Sequence, residues 1–268
     1  MSLAALTSER RTAILAQTWA MSKRAILALA RQPATVIPSL VFPLFFVALG
    51  TAAFGRAVEL PDFPEVDSFL DFALAGAIVQ GVLFGAITSA TALATDIETG
   101  FFDRLLASPT SRVSILVSRL AGAMAYAGVQ TLVFVVVLLP FGLSVRAGPV
   151  GVLVMVAGGM LTALAVGGVM SAMALRTGSS EAVQGSFPLL FIMLFLSSAF
   201  FPRQTMHGAY KRIADVNPIS HLVEGARDLT IEGLSWSAVA RTLLISGGLA
   251  VLAIAVALRS LRKRIAAR

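Results

Sequence analysis

An all-α integral membrane protein with six transmembrane helices is the fold this sequence predicts, and three observations carry that prediction. Of its 268 residues, 57% are hydrophobic and only 13% are charged, with a mean hydropathy of +0.87. A soluble domain of that composition would lack the charge its surface needs. The apolar residues also fall into six runs, each long enough to cross a bilayer at about 20 residues per span. Finally, charges gather between and beyond those runs, so a net charge of +7 reads as membrane anchoring rather than nucleic-acid binding. The absence of cysteine excludes disulfides, thiolate metal sites and cysteine nucleophiles.

Residues 1–33 carry Arg10, Arg11, Lys23, Arg24 and Arg31. Leu15, Trp19, Ser22, Ile26 and Leu29 fall on one helical side and Lys23, Arg24 and Arg31 on the other, which predicts an interfacial helix lying on the membrane. A basic region of 33 residues is too long for a signal peptide, so no cleavage is expected. The spans are expected at about 34–54, 69–95, 115–143, 150–175, 183–201 and 239–258. Pro38 and Pro43 should bend the first, and an acidic loop from Arg56 to Asp71 follows it. Gly81-Val-Leu-Phe-Gly85 in the second permits close helix approach. Gln80, Phe84, Thr88 and Thr91 share one face of that span, and Phe187, Phe191, Phe195 and Ser198 form a stripe on the fifth. Both faces are uncharged and suit either packing or a pathway for apolar ligands.

Between spans two and three, Asp96–Arg112 reads as a short amphipathic helix. Glu98, Asp103 and Arg104 would each cost roughly 2.5–3.5 kcal/mol among lipid tails, so this stretch belongs in water. It also displays Phe101, Phe102, Leu105 and Leu106, an apolar patch rimmed by charge, as a docking surface for another protein would. Gly100 suggests close backbone approach, and Pro109 ends the turn.

The pattern Glu98-x-Gly100-x-x-Asp103-Arg104-Leu105-Leu106-x-x-Pro109-x-Ser111-Arg112 resembles the loop between helices two and three of type-2 ABC exporter permeases, the family that includes the daunorubicin-resistance permeases. A second resemblance follows span five. Phe200-Phe201-Pro202, Asn217-Pro218-Ile219 and Arg227 look like that family's segment between helices five and six. The resemblance implies one permease domain over the whole chain. Its 96–112 coupling helix would rest on separate ATPase subunits that bind ATP and Mg²⁺, and short helices at His207–Val216 and Ile219–Glu232 would dip into the outer leaflet and cap the pathway. It further implies two ATPase subunits, a second permease (identical or related), a pathway lined by spans one, two and five, and a bacterial plasma-membrane location.

Six spans place both termini on one side. Basic residues number fourteen on that side and seven on the other, so the termini and the 96–112 helix are expected in the cytoplasm. Against this trend, Arg203, Lys211, Arg212, Arg227 and Arg241 fall outside. The chain carries no phosphate loop, since no glycine precedes Lys23, Lys211 or Lys263. It also lacks the zinc-protease and serine-hydrolase motifs, and His207 and His221 stand alone, so neither an enzyme nor a metal site is expected. A secondary transporter is the competing class. It is disfavoured because no span interior holds an acidic residue, Asp96 and Glu181 lying at span ends.

Overall fold

The computed structural model describes residues 23, 33–60, 63–108 and 111–267. Nearly all of the interfacial helix expected over 1–33, together with Pro109, lies outside them. The regular elements among the described residues are helices: α1 Pro33–Phe54, α2 Phe69–Glu98, α3 Phe101–Ala107, α4 Arg112–Leu138, α5 Gly148–Thr177, α6 Ser180–Gly185, α7 Phe187–Phe195, α8 Gly208–Val216, α9 Pro218–Ile231 and α10 Trp236–Ala266. The helices α1, α2, α4, α5 and α10 are long and apolar enough to cross a membrane.

Side-chain oxygens set where several of these helices begin. Ser68 and Asp71 form a reciprocal capping box at the start of α2, each accepting a backbone N–H of the other's turn. Asp71 also accepts from the Ser144 amide at 2.7 Å, tying that end of α2 to the link between α4 and α5. Ser111 and Ser235 cap α4 and α10, and Asn217 caps α9 ahead of Pro218, whose missing N–H costs nothing at a first helical position.

The bundle centres on α2 and α5. Phe72, Leu74, Ala75, Ala90 and Ala94 of α2 are fully covered, and α5 packs against α10, α2 and α4. Two core clusters stack along the bundle. One, around Leu74, Phe134, Met155 and Leu229, lies toward α9; the other, around Leu93, Phe102, Ile115, Leu175 and Leu261, lies toward α3. The α1 helix is peripheral, with Ile37, Val41, Phe45 and Leu49 exposed along one side. The Gln130 side chain donates to the Ser39 carbonyl at 2.9 Å, and the Ser39 and Tyr126 hydroxyls are bonded to each other, which stitches α1 to α4. The Gly81/Gly85 pair serves this internal packing. A Cβ on Gly81 would lie 2.6 Å from Gln130 Nε2.

The fifth apolar segment departs from expectation. Instead of one span over 183–201, it forms α6 and α7, of six and nine residues, with a turn at Ser186. Counted with the turn residue between them, Ser180–Phe195 extends about 24 Å at ~1.5 Å per residue, short of a hydrocarbon core of about 30 Å. Pro188 supplies no N–H to continue the α6 ladder. At the other end, side chains from elsewhere take the last carbonyls: Asn217 Nδ2 donates to Met193 O at 2.7 Å and the Tyr210 hydroxyl to Phe195 O at 2.8 Å. The other long helices agree with the expected spans to within a few residues at most boundaries, α10 running eight residues further.

Candidate functional site

At the end of the bundle that carries α3, the amphipathic helix expected over 96–112 resolves into two parts. Helix α2 runs on to Glu98, and only Phe101–Ala107 forms a separate helix. Gly100 makes the corner at a φ of 71°, and an added Cβ would meet nothing within 4 Å. Its left-handed backbone is what calls for glycine at this corner. The apolar patch is also redirected. Phe102 is 1% exposed inside the core cluster, and Leu105 and Leu106 pack against it. A seven-residue helix gains most by burying its apolar side. What it presents outward is Arg104, with Phe101 and Asp103 half-buried; the Arg104 guanidinium lies 5.9 Å from the Phe101 ring centre.

Glu98 has a partner within the chain. Its carboxylate accepts from the Ser180 amide at 2.6 Å and from the Ser180 hydroxyl at 3.0 and 2.8 Å. This contact joins the end of α2, immediately before α3, to the start of α6. Other contacts lock the same end. Arg119, which interrupts the third apolar run, pairs with Asp96; Arg264 donates to Leu175 O at 2.8 Å and Arg176 to the Ser260 hydroxyl at 3.0 Å.

Phenylalanines gather where α1, α2 and α7 meet. Phe187, Phe191 and Phe195 succeed one another along α7 at centroid distances of 5.4 and 5.0 Å, and Phe195 stacks on Phe200 at 4.6 Å. Phe84 of α2 lies 5.2 Å from Phe187 and 5.2 Å from Phe42 of α1. Phe46 closes the set, 6.4 Å from Phe191 and 5.8 Å from Phe200. None of these rings is fully buried, so they form a half-open aromatic wall without charge. The two predicted faces contribute to it unequally. Phe84, Phe187, Phe191 and Phe195 belong to the wall, and Thr88 and Thr91 are half-buried further along α2. Gln80, 1% exposed, offers no surface to a ligand. Ser198 is a correction. It lies beyond the end of α7 in a turn, fully buried, with its amide donating to the Ser220 hydroxyl at 3.2 Å. Phe42 and Phe46 were not singled out in the sequence, although their i,i+4 spacing in the first span was a usable signal. Ser180 carried none.

Helices α8 and α9 close the opposite end of the bundle, close to the expected positions. Arg227 of α9 is buried and donates to Phe72 O at 3.3 Å and Ala199 O at 3.1 Å, its guanidinium 3.8 Å from the Phe72 ring centre. Arg203 reaches Glu224 at 2.7 Å and Asp215 at 3.6 Å. Arg241 pairs with Asp228 at 2.6 Å. Burial pushes the Asp228 carboxyl up to about 6, the Arg241 charge opposing that shift. Three of the five cations expected on this side are therefore held, Arg203 and Arg241 by acids and Arg227 by carbonyls of α2 and of the turn after α7. Asn217 and Pro218 act together at the junction, Asn217 bonding both α7 and the first turn of α9. No group of three or more potential metal ligands occurs among the described residues.

Comparison with known proteins agrees with this architecture. The model of the ABC-2 type transporter family matches residues 16–231. The chain is similar to the daunorubicin resistance ABC transporter permease protein DrrB1 of Streptomyces coeruleorubidus, at 30% identity over 260 residues, covering 94% of this chain and 87% of the relative. It is also similar to the probable doxorubicin resistance ABC transporter permease protein DrrC of Mycobacterium tuberculosis, at 24% identity over 238 residues, covering 88% of this chain and 85% of that protein. A third relative is the putative transport permease ycf38 of Pyropia yezoensis, 30% identical over 238 residues, covering 85% of this chain and 78% of the relative. With these matches spanning most of its length, the chain belongs to the ABC-2 type transporter family of membrane permeases.

Proposed function

We propose that this chain is the membrane subunit of an ATP-driven exporter for apolar or amphipathic molecules, working with a second permease and two separate ATPase subunits. The observation that carries the reading is the uncharged aromatic wall. It runs along α7 from Phe187, seven residues after the Glu98–Ser180 contact, to Phe200 beside the α8–α9 layer. Half-exposed aromatic rings offer apolar area without a charge to desolvate, which suits large apolar ligands. The relatives named for daunorubicin and doxorubicin resistance support the same ligand class.

In this mechanism ATP and Mg²⁺ bind the partner ATPases, whose closure pushes on α3. Arg104, Asp103 and Phe101 meet the partner. Phe102, Leu105 and Leu106 root α3 in the core so that it moves with its bundle rather than alone. Glu98 passes the movement to α6 and α7 through Ser180, shifting one side of the aromatic wall against Phe42 and Phe46 of α1. The α8–α9 layer caps the far end of the path.

The test is ATP hydrolysis by reconstituted complexes. Rigorously pure permease is expected to hydrolyse no ATP. Paired with its ATPase it should do so, with stimulation by apolar substrates. Phe191→Ala is expected to keep near-normal thermal stability, because the ring is only partly buried, and to shift that substrate stimulation severalfold. A variant that melts earlier, as a roughly 3–5 kcal/mol core truncation would, while responding normally to substrate, would assign the ring to packing.

The proposal sets the α3 end and both termini in the cytoplasm of a bacterium, with the α8–α9 layer outside. Because the chain has no cysteine, single cysteines at Ser108 and Ser235 can be labelled without background. An impermeant thiol reagent should reach the first only from the cytoplasmic face and the second only from outside. Labelling with reversed sidedness would invert the mechanism.

A further inference from the structure

A cleft of about 550 Å³ opens at the α3 end of the bundle, between the first turn of α4 and the last turns of α10. Its walls are Val113, Leu258, Leu261 and Ile265, and two arginines, Arg112 and Arg262, line it from opposite parts of the chain. Leu261 is 3% exposed and belongs to the core cluster that holds Ile115 and Leu116, so the floor is fixed. The mouth is open: Arg112, Val113 and Arg262 are all exposed.

The arginines set this cleft apart from an ordinary solvated rim. Arg112 is the first residue of α4, where the helix dipole is positive and a cation is disfavoured. Neither Arg112 nor Arg262 forms an ion pair among the described residues. Two cations and a helix N-terminus converge on one cavity that, among the described residues, is lined by no acid. An anion there would relieve all three. The remaining walls are aliphatic, which a small inorganic anion would leave unused. The cleft also lies where two membrane-length helices end, and the ends of such helices are where headgroups and acyl chains come within reach together.

We propose that this cleft binds one anionic phospholipid, its phosphate between Arg112 and Arg262 and an acyl chain along Val113, Leu258, Leu261 and Ile265. The site clamps α4 to α10 and makes the permease responsive to the acidic-lipid content of its leaflet. It is independent of what the aromatic wall carries.

The test uses the purified full-length chain in an uncharged detergent. Thermal unfolding is followed with added phosphatidylglycerol, phosphatidylcholine, glycerol phosphate or inorganic phosphate. Phosphatidylglycerol is expected to raise the melting temperature by about 4 °C or more and to saturate, as site binding does. Phosphatidylcholine and the two water-soluble phosphates should give under half of that shift. The Arg112→Gln/Arg262→Gln double variant should lose the phosphatidylglycerol increment, and Arg112→Lys/Arg262→Lys should keep most of it. Arg259→Gln/Lys263→Gln, which removes two exposed cations that do not line the cleft, should keep all of it. Equal shifts with both lipids, an increment surviving the double glutamine variant, or one lost equally in the control would overturn the site. A full shift with inorganic phosphate would assign the cleft to a free anion, and no shift with any probe would leave it a protein surface; either rejects the lipid. Should the double glutamine variant not survive purification, native mass spectrometry of the wild type decides. One retained phosphatidylglycerol per chain supports the proposal, and none rejects it.

Discussion

Replacing Arg227 with alanine is expected to lower the melting temperature by on the order of 10 °C, the largest stability effect of any single change considered. The guanidinium is buried and reaches two carbonyls, Phe72 O in α2 and Ala199 O in the turn after α7, with its face on the Phe72 ring. One side chain thus holds α9 against both. Truncation leaves those carbonyls short of a donor and opens a void beside a fully covered ring; losses of this kind total roughly 3–5 kcal/mol. Arg227→Lys should recover less than half, because an ammonium cannot span both acceptors while lying flat on the ring. Melting in detergent of the purified variants measures this directly. If Arg227→Ala melts within about 2 °C of the wild type, the α8–α9 layer is held by its ion pairs instead, with Arg203–Glu224 foremost.

The second large effect is functional and rests on the proposed coupling route. Glu98→Lys should cut ATP-driven transport by about tenfold or more, equivalent to roughly 1.4 kcal/mol of lost coupling, with little change in melting temperature. A lysine there cannot accept from the Ser180 amide or hydroxyl, and it sets a cation against the start of α6. Glu98 is exposed at a helix end, so folding loses little. Ser180→Ala retains the backbone contact and should cost far less, whereas loss of binding to the ATPase would appear as failed co-purification. That readout separates two roles for Glu98. Transport lost with the ATPase still bound supports transmission to α7; transport lost together with binding makes Glu98 a docking residue. Normal transport by Glu98→Lys would remove it from the route altogether.

The sequence by itself determined the helical class, the long apolar helices, the positions of the α8 and α9 pieces and the family. Each of these rests on local composition or short-range order. Twenty apolar residues read as a span whatever surrounds them, and Asn217-Pro218 starts a helix by its own cap chemistry. The tertiary structure alone decided which apolar surface faces inward. In a membrane protein the lipid side and the packed side are both apolar, so periodicity does not distinguish them. Gln80 is covered while Phe84 joins the wall for that reason; on the water-facing α3, Phe102 sits in the core rather than on a docking face because a short helix gains most by burying its apolar side. Length was decided the same way. The fifth apolar run had the composition of a full span, yet α7 stops at Phe195 because Tyr210 and Asn217 take its last free carbonyls. A helix ends where its orphan carbonyls find partners, and those partners lie 15 and 24 residues further along the chain.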